Sequence, residues 1–296
     1  MDRDFPAPLF IVCPIRSFSS VICAMLGQHP QMFAMPELNL FIADTVAGLL
    51  NPPKPHFKDG LLRAVAYLHH GEQTENTVRE AERWLAERGH WSSTELLSYL
   101  ARSVAPRVLI DKSPATVMRS DFLERSYRAC PEASYLHLTR HPRPNCESII
   151  RLLERSHEWG GLLRGNRVDP ERVWTNAHQN IREFSKRLVL GQYMHLRGED
   201  FLESIETFFP QIAEWLAVDN SDEHLDAIRH PERSVFACRG PANAVYGNDP
   251  NFLDNPSFDP SRRPTRSARL DGPLAWNDAA EFSAGTRKLA LEFGYE

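Results

Sequence analysis

Four short runs, Leu9–Cys13, Arg107–Ile110, Ser134–Thr139 and Tyr193–Leu196, constrain the fold more than any other feature of the sequence. A strand with one wet face alternates apolar and polar residues. These runs are nearly continuous, as expected of strands covered on both faces in a parallel sheet. Helix signatures fill the intervals, and alternation of the two predicts an α/β chain, a central parallel sheet flanked by helices.

The first helix is expected from about Ser17 to Gly27, with Val21, Ile22, Met25 and Leu26 on one side and Gly27 as a C-cap. A Leu38–Leu49 helix follows. Thr77-Val-Arg-Glu80 reads as a capping box opening a helix through Arg88, and Ser92-Ser-Thr-Glu95 as a second. Asp169-Pro170-Glu171 starts another helix toward Arg187, and the last runs from near Asp278 to just before Gly294. Asn51–Lys58, with three prolines, and Arg239–Arg269, rich in Gly, Pro, Asn and Arg, read as irregular. So long a loop in a compact unit is usually functional or disordered. No repeat or interdomain linker is evident, which predicts one domain over 1–296. It carries a helical insertion at about 43–105 and a covering loop at about 239–269.

The apolar share of 42% supports a sizeable core, and a net charge of −5 argues against a general nucleic-acid binder. Cys13, Cys23, Cys130, Cys146 and Cys238 are scattered without a C-x-x-C pair, which predicts neither a zinc site nor a disulfide framework. The charged start Met-Asp-Arg-Asp lacks a signal h-region, and no segment approaches the ~20 apolar residues of a membrane span. The expectation is a reduced, cytoplasmic protein with no metal, no nucleic acid and no membrane partner.

Leu9-Phe-Ile-Val-Cys-Pro-Ile-Arg-Ser-Phe-Ser-Ser20 passes from strand through turn to helix start. Free N–H groups there make an anion site. Ser17, Ser19 and Ser20 add donors, the Phe18 amide lies among them, and Arg16 adds a bidentate charge. Alone, the segment fits either a phosphate loop or an ordinary capped helix. The Walker A pattern G-x-x-x-x-G-K-[ST] is absent. Tyr135-Leu-His-Leu-Thr-Arg-His-Pro-Arg-Pro-Asn-Cys-Glu-Ser148 repeats the arrangement, placing Arg140 at a strand's carboxyl end and Ser148 two helical turns on. Ligands collect at that end of an open parallel sheet. His141 is a candidate turn cap or phosphate contact, and Arg143 a solvated residue.

These segments resemble those of sulfotransferases that use 3′-phosphoadenosine-5′-phosphosulfate (PAPS), which share a P-loop-like fold. Arg16, Ser17, Ser19 and Ser20 fall on the arginine and hydroxyl positions of that family's 5′-phosphosulfate loop. Arg140 and Ser148 fall on its 3′-phosphate pair. Ile15 and Phe18 depart from it, standing where proline and glycine are usual. If the glycine position requires φ > 0, Phe18 is strained there.

Transfer to a hydroxyl needs a general base. Glu37 lies among Phe33, Met35, Leu38, Leu40 and Phe41, and apolar surroundings push a carboxyl toward proton abstraction. Several sulfotransferase branches place a glutamate here, so the resemblance makes Glu37 the base; a carboxylate capping a turn is the alternative. Asp111-Lys-Ser-Pro114 resembles the family's [DE]-K-[ST]-P segment. Lys112 then faces the sulfuryl group or the acceptor, or else a structural carboxylate partner, and Asp111 orients the loop. Gln192–Phe201 resembles an R-Y-E-D-L strand with Gly198 in place of the tyrosine, and Gly247–Phe252 a glycine–aspartate segment of the covering loop. Arg239 and Gly240 are the expected late 3′-phosphate contacts, with Arg262 and Arg263 as the second choice.

Sulfotransferase domains of alkene-forming polyketide synthases, as in curacin assembly, are the nearest resemblance. Those domains use a late histidine, but no histidine lies between His230 and Glu296, which throws weight onto Glu37. The expected activity is transfer from PAPS to a small-molecule hydroxyl, free or carrier-bound, releasing 3′-phosphoadenosine-5′-phosphate (PAP). Glu37, Arg16 and Lys112 are its catalytic residues. The alternatives are a P-loop-related kinase and a binding module without catalysis.

Overall fold

The computed structural model describes residues 4–155, 168–259 and 268–296. Its sheet is built from β1 (Leu9–Val12), β2 (Met32–Ala34), β3 (Val108–Asp111), β4 (Ser134–Thr139) and β5 (Tyr193–Arg197) in the order β2-β3-β1-β4-β5. Every pairing is parallel, with Leu9 opposite Ile110 on one side and Ser134 on the other. The four expected strands are present. The fifth, Met32–Ala34, lay unread inside the apolar stretch before Glu37, because three residues carry too little periodicity to identify a strand.

Alternate residues of β1 feed two apolar layers. Phe10 and Val12 pack with α3 (Asp59–His70), α5 (Ser93–Val104) and α8 (Pro170–Ser185). Leu9 and Ile11 pack with α1 (Ser19–Leu26) and α10 (Ile205–Leu216). Helices thus cover both faces, which is why the strands read as unbroken apolar runs. The helices not yet placed among α1–α10 are α2 (Val46–Leu50), α4 (Glu75–Glu87), α6 (Ser120–Ala129), α7 (Pro142–Arg155) and α9 (Gly198–Glu203).

Local signals corrected several boundaries. Leu38–Leu49 is not one helix: Leu38 N–H donates to Asp111 Oδ1 at 3.2 Å, Asn39 N–H donates to Ser113 Oγ at 2.9 Å, and Asn39 is left-handed at φ 51°. A 3₁₀ turn at Leu40–Ile42 precedes α2, which Thr45 caps. The capping box of α4 is Thr74 with Thr77, not Thr77 with Glu80, because a threonine hydroxyl serves both partners. The box at Ser92 and Glu95 and the Asp169 cap are as expected. The last helix starts at Ala284, capped by Ser283, because Leu274 N–H pairs with Ala280 O and folds 274–280 into a turn. Gly27 follows α1 with ordinary φ of −70°. Glycine is needed there for room, since a Cβ would stand 2.3 Å from Ala34 Cβ.

Among the described residues no helix is long and apolar enough to cross a membrane, and no group of three or more His, Cys, Asp or Glu could hold a metal.

Candidate active site

Parallel pairing sends the carboxyl ends of β1, β3, β4 and β5 to one edge, and the turns leaving them form the site. Two residues of the β1 turn, Arg16 (φ 67°) and Phe18 (φ 61°), are left-handed without being glycine. The strain expected of Phe18 is therefore present, and Arg16 shares it. Asn145, buried on α7, holds the turn by donating to Ile15 O at 3.0 Å and Ser17 Oγ at 3.2 Å. The sequence reading passed over Asn145, since a lone asparagine on a helix gives no pattern.

Arg16, Arg140 and Ser148 come together. Arg16 Nε donates to Ser148 Oγ at 2.9 Å, and its Nη1 forms an ion pair with Asp249. Arg140 Nη1 donates to Arg16 O at 2.8 Å, its guanidinium carbon stands 4.1 Å from the Phe18 ring centre, and its buried Nε has no partner among the described residues. Burial pulls the Arg140 guanidinium down to about 10, against the opposing pull of Glu199, so it remains charged at neutral pH. A cavity of about 360 Å³ opens over residues 16–21, Arg140 and Ser148, with residues 249–259 as its other wall. Cationic side chains and hydroxyls around a helix start suit a polyanionic nucleotide, and Arg140, part of the cavity lining, carries N–H donors beyond the one given to Arg16 O.

Lys112 is fully buried and donates to Ser20 Oγ at 2.9 Å and Glu37 Oε1 at 2.5 Å. Burial works against its charge, and Glu37 more than offsets that, so the ammonium is held above its usual range. The setting of Glu37 is thus not the purely apolar one expected: its half-buried carboxylate faces a cation. Asp111 is buried, accepts from Leu38 N–H and Ser113 Oγ, and is pushed by burial up to about 6. It orients the turn that carries Glu37.

Arg239 and Gly240 are not brought to this cavity. Arg239 pairs with Asp254 at 2.8 Å on the exposed surface. Gly240 lies against buried Arg63, where a Cβ would meet Ala244 O at 2.0 Å. Arg262 and Arg263 lie outside the described residues. His141 caps its turn, accepting from Arg143 N–H at 3.2 Å, and burial lowers it to about 4. Arg143 is more than a solvated residue, since it donates to the carbonyls of Arg269, Asp271, Gly272 and Pro273.

The covering loop is clamped from α3. Asp59 Oδ2 accepts from Tyr246 N–H at 3.0 Å, and Arg63, one helical turn on, donates to Tyr246 O at 2.7 Å. Gly247 O then accepts from Glu37 N–H at 2.6 Å. Neither Asp59 nor Arg63 was singled out in the sequence, though an Asp-x₃-Arg spacing does place both on one helix face.

A sequence model described as "Sulfotransferase family" matches residues 8–222. The chain belongs to the sulfotransferase family. As a sulfotransferase it is an enzyme that draws on PAPS. It is similar to the sulfotransferase domain from the Synechococcus PCC 7002 olefin synthase, at 25% identity and a TM-score of 0.77 over all of this chain and 98% of that one. The sulfotransferase domain from the curacin biosynthetic pathway shares the fold, at 22% identity and a TM-score of 0.78 over all of this chain and 99% of that one. The resemblance read from the motifs therefore extends along the whole sulfotransferase. No curated protein matches it significantly.

Proposed function

We propose that this sulfotransferase moves the sulfuryl group of PAPS onto a hydroxyl of a small-molecule acceptor, free or carrier-bound, and that 1–296 forms a single sulfotransferase domain. The observation that carries the reading is the hydrogen-bonded line Glu37–Lys112–Ser20, which joins a carboxylate to the helix start where Arg16, Arg140 and Ser148 converge. Glu37 accepts the proton of the acceptor hydroxyl as its oxygen attacks sulfur and the bond from sulfur to the bridging phosphate oxygen breaks. Lys112, released from part of its pairing as Glu37 is neutralised, compensates charge on the sulfuryl oxygens and the departing phosphate. Arg16 and the N–H groups of 17–20 hold the 5′ end, and Arg140 with Ser148 holds the 3′-phosphate that separates PAPS from ATP. The five cysteines are all unpaired, which suits the reducing cytoplasm.

Calorimetric titration of PAP without metal tests the reading. Low-micromolar binding, indifferent to magnesium and unmatched by ATP, is the expected result. Magnesium-dependent ATP binding would make the chain a kinase, and no nucleotide binding would leave a non-catalytic module.

A further inference from the structure

The Phe18 backbone, at φ 61° and ψ 7°, occupies a region that bulky residues take at a cost, so something in its surroundings must hold it there. Its ring has two close neighbours. One face meets Arg140, whose guanidinium carbon is 4.1 Å from the ring centre. Beside the ring also lies Gly198, the first residue of α9, where a Cβ would stand 2.9 Å from Phe18 Cδ2 and 3.3 Å from Thr139 O. The gap at Gly198 is thus the space that the ring uses.

Arg140 is the side chain this arrangement controls. The cation–π contact restrains the guanidinium over the ring. The bond from Nη1 to Arg16 O is a second restraint on it. The remaining N–H donors include the buried Nε, which has no partner among the described residues. A planar cation restrained by an aromatic ring and a carbonyl, with its other N–H donors left over, is prepared for an anion in the cavity that Arg140 lines.

We infer that Phe18, seated in the gap left by Gly198, is a positioning residue that orients Arg140 toward a ribose phosphate monoester and so sets the preference for 3′-phosphorylated nucleotides. The inference rests on the assignment of Arg140 to the 3′-phosphate and gives the Phe18 side chain, as distinct from its amide, a role exerted through Arg140. In its absence Arg140 keeps its charge but samples more orientations, so the penalty falls on the 3′-phosphate alone.

The test is calorimetric titration of PAP and of adenosine 5′-phosphate into wild type, Phe18→Ala, Phe18→Tyr, Gly198→Ala and the Phe18→Ala/Gly198→Ala double variant. The preference for PAP should fall about tenfold in Phe18→Ala and in Gly198→Ala, whose new methyl displaces the ring. It should survive in Phe18→Tyr, which keeps the aromatic face. Gly198→Ala should add nothing once the ring is gone, because both changes act through one contact. Equal weakening of both nucleotides in Phe18→Ala would make the ring a support for the loop only, and an unchanged preference would remove it from the site. Additive losses in the double variant would uncouple Gly198 from the ring. A wild type that does not prefer PAP would overturn the functional reading, and this inference with it.

Discussion

Lys112 and Glu37 form an unequal ion pair: the ammonium has no solvent exposure as a residue, whereas the Glu37 side chain keeps 26% of its surface. Removing either partner therefore costs differently. Glu37→Leu strands a charge in the core, and about 3 kcal/mol of stability should be lost. Lys112→Met leaves a carboxylate that can reach water, and the loss should be nearer 1 kcal/mol. Urea denaturation of the two variants decides this; equal losses would mean that the pair is more hydrated than its burial implies.

Glu37→Gln keeps the acceptor oxygen for Lys112 but cannot take a proton. It should retain PAP affinity while transfer of radiolabelled sulfate from PAPS falls ~10²-fold or more. Parallel loss of binding and rate would make Glu37 structural.

Arg140 and Arg239 should respond in opposite ways to truncation. Arg140→Ala should weaken PAP binding by a few kcal/mol, as expected for a charge-assisted contact, and leave adenosine 5′-phosphate binding almost unchanged. Arg239 spends its charge on exposed Asp254, so Arg239→Ala should change PAP affinity less than twofold. A large effect of Arg239→Ala would show that the covering loop rearranges over the nucleotide.

Asp249 places a carboxylate on Arg16, the cation expected to meet the phosphosulfate. It also caps the short helix Pro250–Asp254 by accepting from Asn251 N–H. Asparagine caps as well as aspartate, so Asp249→Asn removes the competing charge and keeps the cap. PAP should bind this variant several-fold more tightly, and more so at low ionic strength. Weaker binding would mean that Asp249 holds Arg16 in its working position.

Acid stability should follow the histidines under β4. His137 and His178 are fully buried and share a hydrogen bond at 2.8 Å, with Tyr193, His195, Trp174 and Phe293 around them. Burial first, then neighbouring imidazoles, holds His137 well below the usual range and His178 down to about 3. The unfolded chain thus binds more protons below pH ~6.5, and stability present above that value is lost as pH falls toward the folded values. Thermal melts should drop on the order of 5 °C between pH 7 and pH 5, and His178→Leu should flatten the slope. A flat wild-type profile would show that these imidazoles admit protons without unfolding.

The parts of this structure legible in the sequence share one property: their physical cause is local. Unbroken apolar runs marked β1, β3, β4 and β5 because burial on both faces leaves no polar alternate. The phosphate turns announced themselves through hydroxyls and arginines beside a strand end. What escaped depends on partners distant in the chain. Nothing near Glu37 shows that Lys112 will face it, nothing near Arg239 that Asp254 will claim it, and the Leu38–Leu49 pattern gives no hint that Asp111 and Ser113 divert its first amides. Phe18 is the instructive case, because its strained conformation follows from the loop, whereas its tolerance depends on a missing side chain 180 residues later, at Gly198.

The backbone around Glu37 is closed on two sides: Gly60 lies so near that a Cβ would stand 2.1 Å from Glu37 O, and Gly247 O receives the Glu37 amide. A side chain at Gly60 would push Glu37 aside, and one at Gly247 would collide with Gly60, its Cβ 2.7 Å from Gly60 Cα. Diversification of such an enzyme is therefore channelled. Exchange of neighbouring segments such as 51–58, by evolution or by grafting, must leave a bare backbone at Gly60 and Gly247. A chimera that ignores them would inherit a new acceptor pocket facing a displaced carboxylate.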